Sequence, residues 1–200
     1  MTQATAAVDP IELGRPRYHG LRMTADEFFA LPDDGHRYEL VDGILIMSPS
    51  PEPKHQRVAM EIVRQLILFL EKNPVGRLYH GLDIQLNKSN TGVDRAYKPE
   101  LFFVLGMTRE KEPRRFRAPV DMVLEVVSPD RREFDLETKR VDYEQAGIGE
   151  YWVADPELDS IRFWRRRGAA FVEVFAEGNF FRSEAVPGFQ LDIDRVREEF

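Results

Sequence analysis

A glutamate inside an apolar run is the first residue of chemical interest. The stretch Asp121-Met122-Val123-Leu124-Glu125-Val126-Val127 carries apolar residues on both parities, as a central strand covered on both faces does. A carboxylate buried there without a partner is strongly unfavourable, so Glu125 needs a cation, a proton or a hydrogen-bond donor. Two other charged residues are placed to take part. Glu100 opens a short apolar strand directly after Pro99, and Lys139 lies on the helix that follows the Glu125 strand. Leu136 and Tyr143 stand at i−3 and i+4 from Lys139, so the lysine shares the face that packs on the sheet. Two carboxylates on neighbouring strands can share Mg²⁺ or Mn²⁺, ions that take oxygen ligands and keep water in their shell. A lysine beside them can orient an attacking water or stabilise charge developing on a phosphate, the chemistry of phosphodiester hydrolysis. A buried Glu125–Lys139 ion pair, with Glu100 at a solvated strand end, fits the spacing equally well.

The surrounding elements must position these groups. Thr24-Ala25-Asp26-Glu27 is a capping box that starts a short helix ended by Pro32. A hairpin follows, with strands at 37–41 and 44–47 around Asp42-Gly43. Residues 55–72 show helical periodicity, with Val58, Ile62, Leu66 and Phe69 on one stripe. Strands are expected at 78–86 and 100–105, with a polar loop at 87–92 between them and a charged loop at 109–117 after them. A helix should run from 135 to 146 and stop at Gly147. The strand 151–154, a hairpin of 160–165 with 171–175, and the segment 181–193 complete the chain. The order predicts an α/β (α+β) domain with a mixed β-sheet flanked by helices and a C-terminal edge hairpin. Residues 1–22 read as a poorly ordered lead-in and 23–200 as one domain.

Composition bounds the function. The 200 residues are 42% hydrophobic and 32% charged, which suits a globular chain long enough to bury a core. Without cysteine there is no disulfide, thiolate zinc site or thiol catalysis. The N-terminus lacks a secretion signal, and no apolar run approaches the roughly 18 residues of a membrane span, so a cytoplasmic, non-membrane protein is expected. The net charge of −7 is opposite to the usual nucleic-acid footprint, so any DNA contact must use local patches or a metal.

Several motifs occur in order: Tyr38-Glu39-Leu40-Val41-Asp42-Gly43, Met47-Ser48-Pro49 with His55, Pro99-Glu100, Leu124-Glu125-Val126-Val127-Ser128-Pro129, Lys139 with Tyr143, and Glu150-Tyr151-Trp152-Val153-Ala154-Asp155-Pro156. This set resembles the Uma-two family of restriction endonucleases within the PD-(D/E)XK nuclease superfamily. The resemblance implies a restriction-endonuclease-like core with Glu100 and Glu125 as the paired acids. It also implies the Val126 carbonyl as a further metal ligand and Lys139 as the lysine displaced onto the following helix, since Val127 stands at the usual position. Glu39, His55 and Tyr143 would line the same cleft. The chain departs from the family in carrying Glu100 where relatives have aspartate, which lengthens one ligand by a methylene.

The resulting expectation is a Mg²⁺- or Mn²⁺-dependent DNA endonuclease. Its rival is a weakened nuclease-fold module that binds nucleic acid or a protein without cleaving. A homodimer fits either. Among other candidates, Asp83 is an in-strand acid that could be a ligand, and Asp121 should be exposed. His19, His36 and His80 have no zinc-ligand spacing. The basic runs Lys111, Arg114, Arg115, Arg117 and Arg165-Arg166-Arg167 read mainly as solvated loop charge, and Phe28, Phe29, Trp152 and Trp164 as packing.

Overall fold

The computed structural model describes residues 16–48, 50–86 and 92–200. Thr24 caps α1 (Ala25–Phe29) reciprocally: its hydroxyl accepts from the Glu27 N–H, and the Glu27 carboxylate accepts from the Thr24 N–H at 2.7 Å. The hairpin β1 (Tyr38–Val41) and β2 (Ile44–Met47) turns at Asp42 and Gly43. Their φ values of 45° and 73° are those a tight two-residue hairpin needs. Pro53 then starts α2 (Pro53–Lys72), whose Val58, Ile62 and Leu66 are fully buried as the periodicity predicts.

The remaining strands are β3 (Gly76–His80), β4 (Ile84–Gln85), β5 (Ala96–Tyr97), β6 (Leu101–Leu105), β7 (Phe116–Arg117) and β8 (Met122–Val126). After α3 (Lys139–Ala146) come β9 (Glu150–Asp155), β10 (Ser160–Arg167), β11 (Ala170–Val174), β12 (Phe180–Arg182), β13 (Gln190–Asp192) and α4 (Ile193–Arg197). A six-stranded sheet has the order β11-β10-β9-β8-β6-β3, and a five-stranded sheet the order β2-β1-β5-β4-β7. The first is mixed: β8 runs antiparallel to β6 and parallel to β9. Its last hairpin, β10–β11, lies at an edge as expected. Every residue of β8 is buried. Met122, Leu124 and Val126 pack with the α2 residues Val58, Ile62 and Leu66. Val123 and Val127 pack on the opposite face, with Tyr143 and Ala146 of α3. Among the described residues, no helix is long and apolar enough to cross a membrane.

The structure corrects several expected boundaries. The strand expected at 78–86 is broken at Gly81, whose φ of 65° lets the chain leave the six-stranded sheet at β3 and enter the other at β4. The helix expected from 135 begins as a π-helical turn, Phe134–Thr138, before α3 proper. The charged loop at 109–117 contains a 3-10 turn (Arg109–Lys111) and β7, which pairs parallel with β4. The segment 181–193 forms its own two-stranded sheet, β12–β13, and then α4. Of the lead-in, residues 20–22 are tied to β2, with the Gly20 N–H donating to the Leu45 carbonyl at 2.7 Å and the Leu45 N–H to Leu21 at 2.9 Å. Residues 1–15, Pro49 and the polar loop at 87–91 lie outside the described residues.

Candidate active site

Neighbouring strands bring the two predicted acids to one cleft. In the antiparallel pairing of β6 with β8, Leu101 lies opposite Leu124, and the next residue on each side, Glu100 just before β6 and Glu125 within β8, lines one cleft. Glu125 shares the parity of Val123 and Val127 and Glu100 that of Phe102, and all three apolar residues pack on the α3 side. Both glutamates are 5% exposed, which removes the solvated strand end as a description of Glu100.

The π-helical turn delivers the cation. Lys139, the first residue of α3, is buried, and its Nζ lies 2.8 Å from Glu125 Oε1, 2.9 Å from Glu39 Oε1 and 3.3 Å from Asp135 Oδ1. The Tyr143 hydroxyl, one helical turn on, donates to Glu125 Oε1 at 2.8 Å. Glu39 arrives from β1 in the other sheet, so the site sits where the two sheets meet. Its carboxylate also accepts from the Lys98 N–H at 3.2 Å and pairs with Arg131 at 2.8 Å. Arg131 in turn donates to the Ser48 hydroxyl at 3.1 Å. Apart from Tyr143, which stands behind Glu125, these residues line a cleft of about 50 Å³ together with Arg37, His55, Glu100 and Val126. That volume holds a few waters.

Burial and charge set opposing preferences here. Burial pushes the Glu125 carboxyl up to about 7 against the pull of Lys139, with Asp135 and Glu39 adding to the rise. Burial likewise raises Asp135. For Glu39 burial works upward too, but Lys139 and Arg131 together outweigh it and hold the group below its ordinary value. Burial disfavours the Lys139 ammonium, yet Glu125, Glu39 and Asp135 overcome that and keep it charged well above the usual lysine range. Burial lowers His55, partly offset by Glu100 and by a hydrogen bond to the Val126 carbonyl. Its Nδ1 is buried without a hydrogen-bond partner.

The donor set suits a hard cation only in part. Glu100, Glu125 and Val126 line one cleft, and their carboxylates and a backbone carbonyl are the oxygen donors that Mg²⁺ or Mn²⁺ requires. Among the described residues, no three His, Asp or Glu side chains are grouped to hold an ion by themselves. An ion there would therefore complete its shell from backbone, water or substrate.

Sequence reading reached Glu100, Glu125 and Lys139 from their spacing, and Glu39, His55 and Tyr143 by resemblance. The structure brings all six to this cleft or into direct contact with its residues. It adds Asp135, Arg131, Ser48, Arg37 and Lys98. Asp135 left a readable trace, an acid at i−4 from a lysine on a buried face. It also places His80 Nε2 3.0 Å from Glu100 Oε1, which no sequence spacing suggested.

Other candidates lie elsewhere. Asp83 faces a neighbouring pocket, and Asp121 is half-buried, accepting from the Leu105 N–H at 2.8 Å. The arginines of the basic runs are largely engaged in structure. Arg165 pairs with Glu150 and Glu184 at 2.8 Å, Arg166 donates to the Glu144 carbonyl, Arg167 pairs with Glu184, and Arg115 pairs with Asp26 at 2.6 Å. Glu150 is a buried acid outside the cleft, saturated by Arg165, Trp152 Nε1, the Ser183 hydroxyl and the Glu184 N–H, and it serves to tie β9 to the β12 segment.

Comparison with known proteins agrees with this architecture. A crystal structure of a putative nuclease belonging to DUF820 from Anabaena variabilis ATCC 29413 matches with a TM-score of 0.72 and 19% identity, over 88% of this chain and 98% of that one. At that identity the likeness speaks for the fold. Among curated proteins, none matches. The family described as Uma2, putative restriction endonuclease, matches residues 25–194, a span that contains all three sheets and every residue of the cleft. The chain belongs to the Uma2 family.

Proposed function

We propose that this protein is a metal-dependent phosphodiesterase that cuts DNA at the Glu100–Glu125–Lys139 cleft. The observation that carries this reading is the convergence of two buried carboxylates and a buried ammonium on one cleft. Glu100, Glu125 and the Val126 carbonyl would hold Mg²⁺ or Mn²⁺, which when bound would polarise the phosphate and make a bound water more acidic. The chain's own residues do the rest. Lys139 and Tyr143, both bonded to Glu125 Oε1, fix that carboxylate in one orientation. His80 supports the longer Glu100 side chain that replaces the family's aspartate. Released from Glu39 or Asp135, the Lys139 ammonium can donate to the attacking water or to a phosphate oxygen. Arg37, Lys98 and Arg131, on the less buried margin of the cleft, provide local positive charge for flanking phosphates despite the net −7.

A second reading has one observation in its favour: Lys139 is already engaged by three carboxylates. If that lock does not open, the fold binds DNA without cutting it. Plasmid nicking in Mg²⁺ or Mn²⁺ decides between the two. The wild type is expected to convert supercoiled to open-circular DNA, whereas Glu125→Gln and Lys139→Ala leave it intact and a chelator stops the wild type. A wild type that retards DNA in a gel but never nicks it, with either metal, establishes the binding module instead.

A further inference from the structure

A second cavity adjoins the cleft and shares Lys98 with it. It is larger, about 250 Å³ against about 50 Å³, and lies close to the lower limit of roughly 300 Å³ typical of small-ligand sites. Its character also differs. Tyr18, Phe29 and Tyr38 contribute aromatic walls, and Asp34, His36 and Asp83 contribute polar groups. Asp34 is already satisfied, because Oδ2 accepts from the Tyr38 hydroxyl at 2.8 Å and Oδ1 from the His36 N–H at 3.0 Å. Asp83 is not. Asp83 Oδ1 is buried and has no hydrogen-bond partner, whereas His36 Nδ1 lies 3.4 Å from Asp34 Oδ1. Lys98 stands 3.6 Å from the other Asp83 oxygen, beyond a good hydrogen bond. Buried polar atoms without partners are few in folded proteins, and one beside an aromatic cavity calls for an explanation.

A flat π-system with N–H donors on its edge answers both features. Aromatic walls stack on it, and an unmet carboxylate oxygen accepts from an amino group. The cavity borders the proposed phosphodiester site, since Lys98 lines both. We infer that the Tyr18–Phe29–Tyr38 cavity is a subsite for one unstacked nucleobase bearing an exocyclic amino group, read by Asp83. This inference rests on the nuclease reading for its biological sense, and it makes single-stranded or locally opened DNA the preferred substrate, since a paired and stacked base cannot enter. Phe29, which the sequence suggested as packing, then has a stacking role as well.

The test uses nucleosides, which carry no phosphate, with the full chain and a chelator present. Deoxycytidine and thymidine are titrated and followed by saturation-transfer NMR. Deoxycytidine is expected to bind, with thymidine about tenfold weaker, the discrimination one base-edge contact supplies. Phe29→Ser should weaken both about tenfold, and Asp83→Asn should erase the preference, with melting curves confirming that each variant is folded. Absence of nucleoside binding, or equal binding of the two in the wild type, overturns the subsite. Binding with the expected preference in a protein that never nicks DNA supports the subsite and counts against the nuclease reading alone. Nicking without nucleoside binding does the reverse.

Discussion

Replacing Lys139 by methionine tests the electrostatic core of the site. The ammonium is 4% exposed and lies 2.8 Å, 2.9 Å and 3.3 Å from carboxylate oxygens of Glu125, Glu39 and Asp135. Methionine keeps most of the volume and removes the charge. Glu39 retains Arg131 and Glu125 retains the Tyr143 hydroxyl, but the shared cation is gone. Removing one partner of a buried ion pair costs about 3–5 kcal/mol, because a buried charge is left uncompensated. For a chain of this length each kcal/mol moves the melting temperature by about 2–4 °C, so the variant should melt about 6–20 °C below the wild type. Circular-dichroism melting at pH 8 in chelator is the assay, since Glu125, raised to about 7, is then mostly ionised. Adding Glu125→Gln to Lys139→Met removes one stranded charge and should recover about 1 kcal/mol or more. A single variant melting within about 2 °C of wild type, or a double variant no better than the single, refutes the argument that Lys139 is what makes these acids tolerable in the interior.

Other outcomes follow from the same geometry. Glu125 has a folded pKa of about 7 against an ordinary value of 4.5, so its protonated form is favoured by folding. That contribution is complete below about pH 4.5 and is lost as pH rises through 7, so metal-free wild type should lose about 3 kcal/mol relative to Glu125→Gln across this window. A difference that stays flat in pH-dependent denaturant titrations contradicts the assignment. Tyr143→Phe deletes the donor to Glu125 Oε1 and should cost about 1.5–3 kcal/mol, the range for bonds to charged groups, with little change in near-ultraviolet spectrum if the packing holds. Gly149→Ala would set a Cβ 2.5 Å from the Asp121 carbonyl oxygen, against the backbone that joins β8 to β9. The expected loss is about 1–3 kcal/mol, seen as a lower denaturation midpoint, and an unchanged midpoint would show that the strands can part there.

The local elements were legible because each is specified by neighbours in the chain. Thr24 and Glu27 are three residues apart, Asp42-Gly43 forms its own turn, and the α2 stripe repeats at helical spacing. The need of Glu125 for a partner was legible for the same reason, since its apolar flanks alone declare the strand buried. Lys139 could be placed on the sheet-facing side from Leu136 and Tyr143. The break at Gly81 escaped notice because the residues on either side of it are equally strand-like, and only their membership of different sheets separates them.

What no local pattern contained was the identity of the groups across each gap. Periodicity tells which face a side chain takes, but not which distant element covers that face. Glu39 meets Lys139 because the five-stranded sheet packs against the α3 side of the other, and His80 meets Glu100 because β3 pairs antiparallel with β6. The sequence by itself determined that a charge had to be buried and on which element; tertiary structure decided how many charges share that place. The physical reason is that burial is written in the alternation of neighbouring residues, whereas Coulomb partners a few ångströms apart are chosen by sheet order and register.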